Sequence, residues 1–192
     1  MRIKESVALV TGANRGLGQA LVRALRDAGC AKVYAAARHV ESVTREDGIE
    51  PVPLDITNGK QVEAAAARCG DVAILINNAG IAAFTPALGA QAMDNARREM
   101  ETNYFGTLAM CRAFAPVLKR NGGGGLVNIL SVVSWFNAPV QGTYCASKAA
   151  EWSLTKAVRF ELRAVDPWLS TPCFRCIETR RRLLQTCWEF VA

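Results

Sequence analysis

Histidine is nearly missing: the 192 residues contain one, His39. Catalytic triads that rest on histidine and most mixed Cys/His metal sites are thereby removed. No apolar run reaches the roughly 18 residues that a membrane-spanning helix needs. The apolar stretch after Lys4, residues 7–10, is broken by Thr11 and Gly12 before it attains the length of a signal-peptide core. A soluble, cytoplasmic protein with no membrane partner is expected. Internal repeats are absent. The seven cysteines are an odd number, and Cys30, Cys69, Cys111 and Cys145 stand alone in apolar or helical segments, where a reduced thiol packs as a small hydrophobe; no disulfide framework is indicated. Of one-sided charge there is little: the formal net charge of +6 is spread over residues such as Arg23, Arg26, Arg97, Arg98 and Arg112. Scattered charge reads as solvated helix faces, so nucleic acid is not an expected partner.

With 51% of residues apolar, the length fits one domain with a sizeable core. Short β-branched runs alternate with helical patterns. "VALVTG" (7–12) is a strand, and "LGQALVRALRDAG" (17–29) an amphipathic helix with Leu17, Ala20, Leu21, Ala24, Leu25 and Ala28 on one side. "KVYAAAR" (32–38) is a second strand, and "IEPVPLDIT" (49–57) a third, held to a sheet edge by its prolines. A helix at 59–70, a buried strand "VAILINNAG" (72–80), one long helix over 91–120, a Gly-rich turn and a fifth strand "LVNILS" (126–131) follow. Such alternation predicts a parallel sheet with helices on both faces.

Two short stretches carry chemistry. In "TGANRGLG" (11–18) three glycines stand between a strand and a helix, so backbone can approach a pyrophosphate while the helix N-terminus presents free N–H groups to it. A Gly-rich turn taken alone is equally a structural turn. "YCASK" puts Tyr144 and Lys148 four apart, on one helix face. An ammonium beside a phenol favours the phenolate and brings tyrosine towards acid/base work near neutral pH. By itself that spacing is a common surface pair; with the nucleotide turn, the βα alternation and a hydroxyl at Ser131 ending the fifth strand, it becomes a candidate site.

These motifs, with "LDIT", "NNAG", "TNYFG" and "VNILSVVS", resemble the short-chain dehydrogenase/reductase family over about residues 4–163. The resemblance implies a doubly wound, Rossmann-type α/β fold and hydride transfer between NADP(H) and a carbonyl or alcohol. It implies Tyr144 as proton donor, Lys148 as the group that lowers the tyrosine pKa and binds the nicotinamide ribose, Ser131 as the hydrogen-bond donor to the carbonyl, and Asn103 as holder of a relay water. Ser134 lies past the strand end. The cofactor would lie against Gly12, Asn14, Arg15, Gly16, Leu17 and Gly18, with Asp55 and Ile56 at the adenine, Asn77, Ala79 and Gly80 near the ribose, and Tyr144 and Lys148 at the nicotinamide. Asn77 reads as much as a structural clamp as a ligand. Relatives pair through their fourth and fifth major helices, which implies a homo-oligomer, a dimer or tetramer, with Phe114 and Trp152 as interface candidates.

Cofactor choice turns on charge at the end of the second strand, where a carboxylate would hold a ribose 2′-OH and repel a 2′-phosphate. That strand ends "AAAR"; Arg38, with Arg15, is a clamp for the phosphate, or else Arg38 is merely solvated. NADP(H) is preferred and NAD(H) remains possible. Ile81, Phe84, Val133, Trp135, Phe136 and Pro139 either line an apolar substrate pocket or belong to the core.

After Arg163 the resemblance stops. All fifteen glycines lie at or before Gly142, while residues 164–192 hold three of the seven cysteines and two of the four tryptophans. A catalytic domain over 1–163 and an atypical tail over 164–192 are therefore expected, with no sixth or seventh strand. The tail offers a zinc site from Cys173, Cys176 and Cys187 that lacks a fourth ligand, a basic element at Arg180, Arg181 and Arg182 offset by Asp166, Glu178 and Glu189, or an aberrant end carrying a short amphipathic helix. On the last reading the chain is a truncated, catalytically weak nucleotide-binding or interaction protein.

Overall fold

The computed structural model describes residues 3–165, 169–170 and 173–174. Five strands alternate with helices: β1 (Val7–Thr11), α1 (Gly16–Asp27), β2 (Lys32–Ala37), β3 (Ile49–Pro53), α2 (Gly59–Arg68), β4 (Ile74–Asn77), α3 (Ala92–Glu99), α4 (Thr107–Arg120), β5 (Gly124–Ile129) and α5 (Gly142–Val165). The sheet order is β3-β2-β1-β4-β5, all parallel, with β3 at one edge as its prolines require. Period-two alternation divides each strand between two layers. Leu9, Tyr34, Ala36, Leu75 and Leu126 face the cluster beneath α2, α4 and α5, while Ala8, Val10, Val33, Ala35, Ile74, Ile76 and Val127 face the cluster beneath α1. Burial on both faces is why these strands read as unbroken apolar runs. The chain leaves β1 towards β2 on one side and returns to β4 on the other, so the strand order reverses between β1 and β4. A crevice at the carboxyl ends of strands is expected at that point.

Two expectations are amended. The predicted helix over 91–120 is interrupted between α3 and α4 by a π-helical segment, Met100–Gly106. Its wider turn brings Asn103 into the interior, and Gly106 leaves room for Ile56, whose Cδ1 would be 2.7 Å from a Cβ placed there. Beyond β5, where no further strand was expected, two short segments pair with it in parallel: β6 (Leu169–Ser170) with Gly124 and Gly125, and β7 (Cys173–Phe174) with Asn128 and Ile129. The two keep one register against β5, Gly124 opposite Leu169 and Asn128 opposite Cys173, and residues 171–172 between them lie outside the described ones. The zinc set, the arginine run and the tail helix fall on residues that, apart from Cys173, lie outside the described ones. Among the described residues no helix is long and apolar enough to cross a membrane, and no cluster of metal-binding side chains occurs.

Cys30, Cys69, Cys111 and Cys145 are free and buried. Burial pushes the thiols of Cys69 and Cys111 up to about 12. At pH 8 neither should react with a disulfide reagent while the chain is folded, and both should react in urea, as mapped by mass spectrometry. Rapid modification of either in the native chain would contradict this packing. Because the folded values lie above the ordinary thiol value of 9.0, the stability gained by keeping these thiols neutral is full below about pH 9 and lost as the pH rises towards 12.

Candidate active site

At the reversal point lies an open cleft of about 970 Å³. One wall is the β1–α1 turn: Gly12, Asn14, Arg15, Gly16, Leu17 and Gly18. Helix α1 starts there with no side-chain cap and no acidic residue in its first turn, so its leading N–H groups are left to an anion. Gly12 (φ 64°) and Gly16 (φ 55°) adopt left-handed backbone. The floor is Ala79, Gly80 and Ile81 after β4, and the far side is Arg38, His39, Asp55, Ile56 and Thr57. Asp55 Oδ1 accepts from Thr57 N (3.0 Å) and Thr57 Oγ1 (2.7 Å). Burial pushes the Asp55 carboxyl up, but those two hydrogen bonds and the charge of Arg38 outweigh it and leave it below the ordinary carboxylate range.

Asn77 and Asn78 take different places, and only the first carries an expected role. Asn77 is buried away from the cleft lining, donating to Asn128 Oδ1 (2.9 Å) and Cys111 Sγ (3.6 Å), so the clamp half of its reading describes its contacts. Asn78 lines the cleft; its Nδ2 donates to Thr11 O (2.9 Å) and Gly12 O (3.3 Å), while Thr11 Oγ1 accepts from Asn78 N (2.9 Å) and Ala79 N (3.0 Å). These bonds bolt the turn after β1 to the turn after β4. On the sequence, strand alternation held the signal: if Asn77 ends the buried strand, the next residue opens the turn.

The four expected catalytic residues sit on three elements, the π-helical segment, the turn after β5 and α5, and are not among the residues that line the cleft. Asn103 is fully buried; its Nδ2 donates to Ile81 O and Ser147 Oγ, both at 2.9 Å, and its Oδ1 accepts from Ile81 N at 2.9 Å. Both its amide hydrogens are engaged by protein, so a water would have to be held through oxygen. Ser131, half-buried two residues past β5, caps a short 3-10 turn (Val132–Ser134); its Oγ accepts from Val133 N at 3.4 Å, and Ser134 Oγ accepts from Ser131 N at 3.4 Å. Ser134 is thus a buried capping group. Tyr144 is half-buried in the first turn of α5. Lys148, one turn on and 5% exposed, donates from Nζ to Ile129 O (2.9 Å) and Glu151 Oε2 (2.6 Å). A Cβ on Gly80 would stand 3.6 Å from Lys148 Nζ and 3.1 Å from Asn103 Oδ1, which joins this group to the cleft floor.

The short chain dehydrogenase family profile matches residues 6–166. The chain belongs to this family. It is 36% identical over 172 residues to a dehydrogenase/reductase SDR family protein 7-like of Anopheles gambiae, covering 81% of this chain and 54% of that protein. The chain spans about half the length of the first of the curated relatives it matches. A short chain dehydrogenase from Burkholderia cenocepacia, solved in complex with NADP, superposes with a TM-score of 0.86 at 44% identity, over 90% of this chain and 72% of that one. A short chain dehydrogenase/reductase from Burkholderia phymatum, solved in complex with NAD, gives a TM-score of 0.84 at 25% identity, over 100% and 79%.

In this short-chain dehydrogenase the apolar residues flanking the site divide. Val133 is core, whereas Phe84, Trp135 and Phe136 are 63%, 47% and 54% exposed and are not. Phe84 and Val140 also hold positive φ (50° and 55°), which is strained backbone for such residues; Glu5, before β1, does so too (67°). Phe114, on the inner face of α4, is fully buried and cannot serve an interface; the exposed phenylalanines nearby are Phe105 on the π-helical segment and Phe160 on α5, at 50% and 72%. Glu151 went unnoticed in the sequence. Its signal was there: three residues after Lys148, between the buried Ser147 and Leu154, it repeats the inward face of α5. Removing one partner of such a buried ion pair leaves a charge uncompensated, at a cost of about 3–5 kcal/mol.

Proposed function

We propose that this chain binds NADP(H) in the cleft between β1 and β4 and transfers hydride between it and a small carbonyl or alcohol. The observation that carries the reading is the uncapped α1 N-terminus flanked by Arg15 and Arg38, opening past Gly80 onto Lys148. The glycines fit a dinucleotide: a Cβ on Gly12 would meet Ala79 Cα at 3.0 Å, so this glycine lets the β1 turn pack on the β4 turn, while nothing lies within 4 Å of a Cβ on Gly16, which leaves that side of the turn open to a pyrophosphate. When bound, the nicotinamide supplies or takes up the hydride. The chain's own residues do the rest. Arg38 and Arg15 meet the 2′-phosphate, Asp55 faces the adenine, Tyr144 moves a proton at the substrate oxygen, Ser131 Oγ donates a hydrogen bond to that oxygen, and Lys148 orients the ribose. With both Asn103 amide hydrogens engaged, a relay water falls to an oxygen of that residue. The exposed Phe84, Trp135 and Phe136 favour an apolar carbonyl compound. Self-association through α4, the π-helical segment before it and α5 would cover Phe105 and Phe160.

Fluorescence titration with NADPH and NADH, followed by hydride-transfer assays over a carbonyl panel, tests this. NADPH should bind more tightly. Arg38→Asp replaces attraction by repulsion and should move the ratio of the two affinities towards NADH by about tenfold or more. An unchanged ratio would remove Arg38 as the discriminator. Binding without hydride transfer to any carbonyl would favour the reading of a nucleotide-binding protein.

A further inference from the structure

The carboxylate of Glu151 has no part in that reaction, yet it grips the ammonium on which the reaction depends. We propose that Glu151 is a positioning residue: a fixed counter-charge that orients Lys148 and tempers the action of its ammonium on the Tyr144 phenol. The inference rests on the roles given to Tyr144 and Lys148 above.

Glu151 is 1% exposed and Lys148 5%, so neither charge is solvated. An ammonium has three N–H donors. Two are engaged on the protein side, by Ile129 O and Glu151 Oε2, and Gly80 on the cleft floor lies close to the same nitrogen. The carboxylate is itself anchored: Thr107 Oγ1 donates to Oε1 at 3.4 Å from α4, and Thr155 Oγ1 donates to the Glu151 carbonyl at 2.8 Å along α5. It therefore fixes where Nζ sits and does not follow it.

The groups around the pair are otherwise neutral donors and acceptors. Thr107 and Cys111 face it from α4, Asn103 from the π-helical turn, the Ile129 carbonyl from β5, and Ser147 and Thr155 from α5 itself. The Cys111 thiol, pushed up to about 12, adds no charge near neutral pH. Glu99, the other buried carboxylate among the described residues, accepts from Ala83 N on the loop after β4. A lone buried ammonium would act on the phenol with its full charge. With a carboxylate at 2.6 Å the two together act nearly as a dipole, whose field falls off faster. Burial pushes the Glu151 carboxyl up, against the charge and hydrogen bond of Lys148, so the carboxylate's charge depends on the partner it holds.

The test follows Tyr144 ionisation in the ligand-free chain by tyrosinate absorbance, isolated from Tyr34 and Tyr104 by subtracting the titration of Tyr144→Phe. Glu151→Gln keeps the shape and removes the charge; the Tyr144 midpoint should fall by about half a pH unit or more. A midpoint that stays or rises overturns the inference. Lys148→Met, measured alongside, should raise it. If Lys148→Met changes nothing, the Tyr144–Lys148 assignment fails; if it raises the midpoint and Glu151→Gln has no effect, only the role of Glu151 fails. Should Glu151→Gln not fold, the Lys148→Met/Glu151→Gln double variant decides. Recovery of the fold shows that the uncompensated lysine was the fault and supports the counter-charge, whereas continued failure shows a packing role and overturns it.

Discussion

Gly18→Ala should cost this protein stability and, on the proposed function, affinity for NADPH. A Cβ at Gly18 would lie 2.2 Å from Gly12 O, 2.6 Å from Asn78 Nδ2 and 2.9 Å from Gly12 C, and two of these atoms are backbone that cannot swing aside. To admit the methyl, α1 must back away from the β1 turn, which strains the Asn78 bonds to Thr11 O and Gly12 O. Overpacking of this kind costs about 1–3 kcal/mol, and here it also displaces the helix N-terminus from the anion it would bind. Urea unfolding should show a lower midpoint, and NADPH titration an affinity reduced by at least about tenfold. Gly16→Asn is the contrast. Nothing lies within 4 Å of a Cβ there, and asparagine tolerates the positive φ better than other side chains, so its stability loss should be small. A Gly18→Ala chain with native midpoint and native affinity would refute the close approach.

Much of this fold was legible because pattern and packing agree. The order of strands and helices through Ile129 follows from period-two and period-3.6 runs, and the two prolines of β3 put it at the sheet edge where it stands. Arg15, Gly16, Gly18, Arg38, Asp55 and Gly80 line one cleft because each ends a strand or opens a helix at the same edge of the sheet, a property readable from position alone. What escaped depends on tertiary contact. Periodicity treats residues 91–120 as one helix, and the π-helical turn that turns Asn103 inward is visible only once Ile56 is seen packed where a Gly106 side chain would be. Asn77 and Asn78 look alike in a motif, but one residue of strand register sends the first into the core beside Asn128 and the second onto the cleft. Glu151 stands three residues after Lys148, so the helix itself brings the two to within 2.6 Å; what tertiary contact adds is that this face of α5 is turned into the interior, where neither charge is solvated.

On the proposed function, the sharpest division of labour lies on α5. Tyr144→Phe removes one hydroxyl and keeps the ring, so packing in the first turn of the helix and NADPH affinity should be nearly unchanged. Turnover should fall by about 10²–10⁴-fold, the contribution of a positioned proton donor. Lys148→Ala differs in kind. It removes the donor that faces Gly80, frees the Ile129 carbonyl, and strands Glu151 as a buried carboxylate without its cation. Burial already pushes the Glu151 carboxyl up while Lys148 opposes it, so loss of the lysine should drive it to protonate. The variant should lose turnover and cofactor affinity together, and its urea midpoint should drop as well. Paired measurements of kcat and NADPH Kd on the two variants separate these outcomes. If both substitutions lower kcat by the same small factor and leave Kd alone, Tyr144 and Lys148 are not the acid/base pair, and the proton must come from elsewhere.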